Sequence, residues 1–348
     1  MARATPLAAI FLSLCLSHVA RGDKTNVGPP ATREQVEHAV DRAIGYLQSE
    51  SGTWLKTRRC AACHHAGMPL WALNEAGKMG YAINKKFAAD TLEATLGSRD
   101  KLIAVKLVPG PKDPPDPRPI GRGLNMGLVF LAVAGRSAPS LSAGQTQTLA
   151  LISDQIVEKQ THDGTWEFFL SRPPVNETQR TDVSWILMAL QGDRATETSP
   201  KLRSSLQRGT DWLADAKLPE TYESKTLKLL LAIRAGRAQS DLEPQVRELL
   251  ALQQPDGGWR QLPDWKSDAF ATGQTLYVLS LAGYSAERPP MKRGIAFLVA
   301  TQKPDGSWPM ISRSTPDGRP GSAKLLTPIN CAAASWATLG LTRLVPKR

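Results

Sequence analysis

The chain has 348 residues, 41% hydrophobic and 22% charged, enough for one large domain or two ordinary ones with a substantial core. That composition excludes disorder, a collagen-like fibre and a multi-span membrane protein. Lys and Arg number 43 against 32 Asp and Glu, a formal net charge of +11. The cations are spread along the chain with acids between them, which predicts a solvated surface rather than a nucleic-acid stripe.

Arg3, an apolar run from Pro6 to Leu16, and Ala20-Arg21-Gly22 are the charged, apolar and small-residue parts of a secretory signal peptide. Residues 1–22 are expected to be such a leader, with Asp23 opening the mature chain and residues 23–31 forming a flexible lead-in. No later stretch reaches the roughly 18 uninterrupted apolar residues of a membrane helix, so the expected place is the periplasm or the extracellular side. Cys60, Cys63 and Cys331 would survive cleavage. A core of this size does not need a disulfide framework, and two of the three share one pentapeptide, which points to local chemistry.

Residues 32–345 read as one repeat domain. Thr32 followed by Gln35 makes a capping box for the opening helix, whose apolar face is Val36, Val40, Ile44 and Leu47. The segment Gln254-Pro255-Asp256-Gly257-Gly258-Trp259 recurs as Gln302 to Trp308 and as Gln160 to Trp166, with a weaker copy at Ser51-Gly52-Thr53-Trp54. Helix-length apolar runs follow, such as Val183–Leu190, Thr275–Leu281 and Cys331–Leu339. They stop at or beside Gly77, Gly135, Gly192, Gly236, Gly283 and Gly340, as left-handed helix caps would. Six units of outer amphipathic helix, turn and inner apolar helix are therefore expected. Each needs a neighbour to cover its apolar face, and six close more readily into a ring than they remain a rod.

Arg293-Gly294, Phe297-Leu298, Gln302, Gly306 and Trp308 match the QW repeat of squalene and oxidosqualene cyclases, the family that also holds the prenyltransferase β-subunits. Arg208-Gly209 with Trp212-Leu213 is a copy without its tail, and Arg42-Ala43 with Tyr46-Leu47, Gly52 and Trp54 a shortened one. The chain thus resembles this family over roughly residues 33–343. The resemblance implies an all-α fold of six helical hairpins closed into an α/α toroid, with a hydrophobic small molecule or lipid as ligand of its cavity. The tryptophans are expected to clamp adjacent helix pairs.

In such a ring the inner-helix starts converge on one mouth, where His64, His65, Asn125, Asp182, Glu223, Asp268, Asn330 and Cys331 fall. The resemblance implies catalytic roles for Asp182 and Asp268, whose alternative is helix capping. Cyclases of the family protonate substrate with a DxDD motif. Here Gln179-Arg180-Thr181-Asp182 stands at the matching place, with Thr181 where the proton donor belongs. A threonine hydroxyl cannot protonate an alkene, so cyclisation by that route is not expected. The family's Asp, Cys and His zinc site is also missing: no histidine follows His162.

Cys60-Ala61-Ala62-Cys63-His64 is the sharpest local motif and reads as covalent attachment of haem c, with thioethers at Cys60 and Cys63 and His64 on the iron. Export is consistent with it. A labile disulfide or dithiol, or a metal such as zinc held with His64 and His65, are the other readings. The sixth iron ligand could come from Met68, Met79, Met126, Met188, Met291 or Met310. Three functions remain open: an exported haem c redox toroid with a redox partner, an enzyme of isoprenoid or lipid chemistry, and a binding or scaffold module.

Overall fold

The structure is a computed structural model and describes residues 29–58, 63–104, 107–108, 124–167, 173–175, 177–191, 199–310 and 323–347. The expected leader lies outside the described residues. Six outer helices alternate with six inner ones: α1 (Arg33–Arg58), α2 (Met68–Lys78), α3 (Lys85–Leu96), α5 (Met126–Ser137), α6 (Ala143–Glu158), α7 (Gln179–Gln191), α8 (Pro200–Asp215), α9 (Tyr222–Arg234), α10 (Gln239–Ala251), α11 (Ala269–Leu281), α12 (Pro289–Thr301) and α13 (Ala323–Leu344). A short α4 (Arg99–Ala104) sits within the second hairpin, and a π-helical turn (Cys63–Gly67) leads into α2. Among the described residues no helix is long and apolar enough to cross a membrane.

The inner helices form a closed ring in the order α2, α5, α7, α9, α11, α13 and back to α2. Each outer helix packs on the inner helix of the preceding hairpin: α8 on α7, α10 on α9, α12 on α11, and α1 on α13, which shuts the toroid. The expected six-hairpin α/α toroid is the observed fold. The sequence explains the two layers. In α5 every residue except Arg136 is buried, whereas α8 buries only Leu202, Ser205 and Gly209. A helix apolar on all sides must lie inside, and one with a single apolar stripe can face water.

Three seams between hairpins are fastened in the same way. Gln160, Gln253 and Gln302 each accept a hydrogen bond from an arginine on the next outer helix, Arg208, Arg293 and Arg42 respectively. Their amides donate back to carbonyls of that helix, at Ser205 (2.9 Å), Pro290 (2.8 Å) and Ala39 (2.8 Å). Four residues on, Gly164, Gly257 and Gly306 have φ between 88° and 92°, and each faces a backbone carbonyl of the same arginine so closely that a Cβ would collide with it. Two residues further, the buried Trp166, Trp259 and Trp308 donate from Nε1 to the carbonyls of Ile156, Leu249 and Leu298 near the ends of their outer helices, at 2.7–2.9 Å. Gly209 and Gly294 make room for the first two rings. The tryptophans clamp helix pairs as expected.

Three expectations need correction. The fastening glutamine of the fifth unit is Gln253, one residue before Gln254, because Gln253 alone keeps the four-residue spacing to Gly257. The weak copy around Gly52 and Trp54 is not a turn but part of α1, its residues continuing the helix to Arg58. Gly236 and Gly283 close α9 and α11 with positive φ, but Gly77, Gly135 and Gly340 lie inside α2, α5 and α13, Gly340 where it lets the helix approach Gly273 of α11, and Gly192 lies outside the described residues.

Trp308→Ala is expected to lower unfolding free energy by roughly 3–5 kcal/mol, as for other fully buried aromatic truncations, and Gly306→Ala to destabilise as well. Urea unfolding followed by circular dichroism checks both.

Candidate functional site

The axis of the ring is filled by aromatic side chains from five inner helices. Trp71, Trp185 and Trp336 form a triangle with ring centroids 5.1–6.0 Å apart, and Phe130, Phe270 and Tyr277 pack around it. All six are buried. Edge-to-face pairs dominate, the arrangement that ring quadrupoles favour.

At the mouth formed by the inner-helix starts, the expected polar residues divide into those that serve the backbone and those that do not. Asn125 caps α5 by accepting from Gly127 N at 2.9 Å, and Asp268 caps α11 by accepting from Ala271 N at 2.9 Å. Asn330, expected at a helix start, instead lies inside α13 and accepts from Met310 N at 3.1 Å. The capping alternative is therefore what Asp268 Oδ1 does. Thr181 is fully buried; its hydroxyl donates to the Thr178 carbonyl at 2.6 Å and accepts from the Thr178 amide at 2.9 Å. It organises the start of α7 and offers no acidic proton.

Asp182 differs. It is 5% exposed, its Oδ1 has no hydrogen-bond partner, and burial alone raises its pKa to about 7. A carboxyl poised near neutrality can act as acid or base, which is the tuning that such catalysis requires. Glu223 of α9 is also buried and accepts from Trp185 Nε1 at 3.3 Å and from Gln274 Nε2 at 3.4 Å, while Gln274 Oε1 takes the Thr226 hydroxyl at 3.1 Å. Gln274 and Thr226 were not singled out from sequence. The available signal is that Gln274 interrupts the apolar run of α11, where a fully buried amide needs partners.

The described end of the CxxCH motif, Cys63 and His64, opens the π-helical turn that leads into α2. Cys60 lies outside the described residues, and of Cys63 only the backbone belongs to them, at the first position of the π-helical turn. His64 is 8% exposed and His65 fully buried, with ring centroids 5.0 Å apart. His65 stacks on Trp54 of α1 at 3.7 Å and 7°. Burial, then the neighbouring His64, lowers its pKa to about 2, so its imidazole is neutral. Neither nitrogen of His65 has a hydrogen-bond partner, nor do Trp54 Nε1 and Ser51 Oγ, all of them buried. The turn is held close to α5: a Cβ on Gly67 would lie 2.7 Å from Phe130 Cβ. Cys331 lies inside α13, hydrogen-bonded to Tyr46 of α1, and burial pushes its thiol up to about 12. Among the described residues, no group of three or more His, Cys, Asp or Glu is placed to hold a metal ion.

No protein-family model matches the chain. It is 32% identical over 108 residues to drimenyl diphosphate synthase of Streptomyces showdoensis, a match covering 31% of this chain and 19% of that protein. Two solved structures of the type II terpene cyclase MstE from Scytonema share the fold. One, in complex with merosterolic acid A as product, has a TM-score of 0.52 and 14% identity. The other, in complex with geranylgeranyl dihydroxybenzoate as substrate, has a TM-score of 0.52 and 13% identity. Each alignment covers 90% of this chain and 98% of the other.

Asp182 has a measurable signature. Its folded pKa is raised, so between about pH 4 and pH 7 the unfolded chain releases this proton and the folded chain keeps it. Its contribution therefore favours folding fully below pH 4 and is lost as pH rises to 7, by on the order of 4 kcal/mol. Asp182→Asn should remove that slope and be the more stable protein at pH 8, as urea melts at pH 4, 5.5 and 8 would show.

Proposed function

We propose that this protein is an exported haem c toroid, using a terpene-cyclase-like scaffold to hold a redox centre at its first hairpin without cyclising isoprenoids. The observation that carries the reading is the group of buried, unpartnered polar atoms beside the motif: Ser51 Oγ, Trp54 Nε1 and both nitrogens of His65. Buried polar atoms in folded proteins almost always have partners, so four in one place fit a site completed by a group from outside the chain. The donor set suits haem c in kind: Cys60 and Cys63 would form the thioethers and His64 would take the iron. Haem there would supply one-electron transfer to a redox partner.

The chain's own residues have definable tasks in this reading. The π-helical turn, pinned against α5 by Gly67, fixes the direction in which His64 leaves the helix start. Trp54 of α1 stacks on His65 and covers one face of its ring. Thr181, in place of a carboxylic acid, supports the absence of cyclisation. Export rests on the leader-like residues 1–22 and on the usual maturation of haem c outside the cytoplasm.

A second reading is favoured by one observation, the buried carboxyl of Asp182, whose Oδ1 has no hydrogen-bond partner and whose pKa is raised to about 7. In it the protein is an acid–base enzyme acting on an isoprenoid or lipid, with Asp182 as proton carrier and Asp268 fixing the start of α11.

Protein made in a host that matures haem c should keep its iron porphyrin after denaturation and acid extraction and give a shifted pyridine haemochrome. Cys60→Ala combined with Cys63→Ala should abolish that signal. A colourless wild-type protein from such a host refutes the first reading. Incubation with squalene should give no cyclised product; a triterpene that disappears in Asp182→Asn would establish the second.

A further inference from the structure

The seam between the fourth and fifth hairpins lacks the fastening that closes its neighbours. By the match of Arg208-Gly209 and Trp212-Leu213 to Arg293-Gly294 and Phe297-Leu298, the Leu213 carbonyl corresponds to the Leu298 carbonyl that accepts the Trp308 indole. No tryptophan follows α8 before α9. Instead Arg180, reaching across from α7, donates to the Leu213 carbonyl at 3.2 Å and to the carbonyls of Ala216 and Leu218. On the facing helix α10, Gln245 precedes Gln253 by the same interval as Gly294 precedes Gln302, and so stands where a glycine receives the ring at the fastened seam. Arg180 thus replaces the indole N–H but not the indole's volume.

A cavity of about 490 Å³ occupies this place, floored by α7 and α9 and walled by α8 and α10. Its size falls within the range of small-molecule sites. Leu187, Leu213, Leu231 and Ala232 supply apolar walls. The charges on its lining are Arg180, Lys228 and Arg237 against Glu220 and Asp241. Glu220 is already shared by Lys225 at 3.2 Å, Lys228 at 3.0 Å and Arg180 at 4.0 Å, which leaves the site an excess of positive charge. Gln245 Oε1 and the Nε of Arg180, a residue only 8% exposed, have no hydrogen-bond partner.

We propose that this seam is a binding site for a flat aromatic carboxylate. The ring takes the position that Trp166, Trp259 and Trp308 fill at the fastened seams, and the carboxylate meets the cationic lining. Nothing in this depends on the CxxCH motif or on Asp182.

The probe is indole-3-propionate, titrated calorimetrically into the full chain, with tryptamine as the same ring carrying the opposite charge. Saturable binding below about 1 mM is expected for the acid and none for the amine. Ala232→Trp, which refills the cavity from α9, should weaken binding at least tenfold, and Lys228→Glu should weaken it severalfold. Ala214→Trp, which fills it from the exposed side of α8, serves the same purpose should Ala232→Trp fail to fold. Absence of saturable binding, equal binding of tryptamine, or unchanged affinity in the filled variants would each overturn the proposal.

Discussion

The ring depends on a backbone contact that only glycine permits. At Gly164, Gly257 and Gly306 the chain turns with positive φ directly against a carbonyl of the next outer helix, and any side chain there would push the two hairpins apart. Once that approach is made, the glutamine before the turn and the tryptophan after it fall into place. One bridges to the neighbour's arginine and carbonyl, and the other fills the angle between helices. Individual hydrogen bonds of this kind contribute about 1 kcal/mol, and those to a guanidinium roughly 1.5–3 kcal/mol. Their importance is that they recur and that one set joins the last hairpin to the first. An open solenoid would leave the apolar faces of α1 and α13 in water; the closing seam covers both.

With the ring closed, the axis becomes a low-dielectric environment, and the groups placed there behave accordingly. Asp182 and His65 are shifted in opposite directions for the same reason, since burial penalises whichever form carries charge. The carboxyl keeps its proton to near neutrality and the imidazole stays neutral. Glu223 sits in comparable burial but receives an indole N–H and an amide N–H, so the same kind of group meets a hydrogen-bonded setting instead of a bare one. The difference between a structural and a chemically available carboxyl here is the presence of donors on α7 and α11, not depth.

The seams are not equivalent, and this gives the scaffold room for more than one site. The fastened ones are rigid and filled. The first hairpin gives Trp54 to His65 instead of to a neighbouring helix, and the fourth has no tryptophan in its turn, where Arg180 satisfies the carbonyl left behind. Loss of a wedge without loss of the hydrogen bond keeps the ring intact, because an unsatisfied buried carbonyl would be costly whereas a solvent-accessible groove is not.

Six hairpins, the order of outer and inner helices and the role of Trp166, Trp259 and Trp308 could be read from the chain, because they follow from apolar periodicity and from glycines at fixed distances from tryptophan. The places of Asn125, Asp182, Glu223 and Asp268 at or near helix starts could also be read, since each stands at the start of an apolar run; Asn330 and Cys331 instead lie inside α13. What could not be read is which of them would be engaged. Asp182 and Asp268 look alike in sequence, each acidic and at a helix start. Only the path of the backbone makes Asp268 a cap and leaves Asp182 without a partner. Nor does Gly52-Thr53-Trp54 announce that it continues a helix, or Arg180 that it substitutes for a tryptophan more than thirty residues away in the pattern. Local sequence determined the elements and their faces. The closing of the ring decided burial, and burial together with the donors brought alongside decided which polar groups are spent on structure and which remain for chemistry.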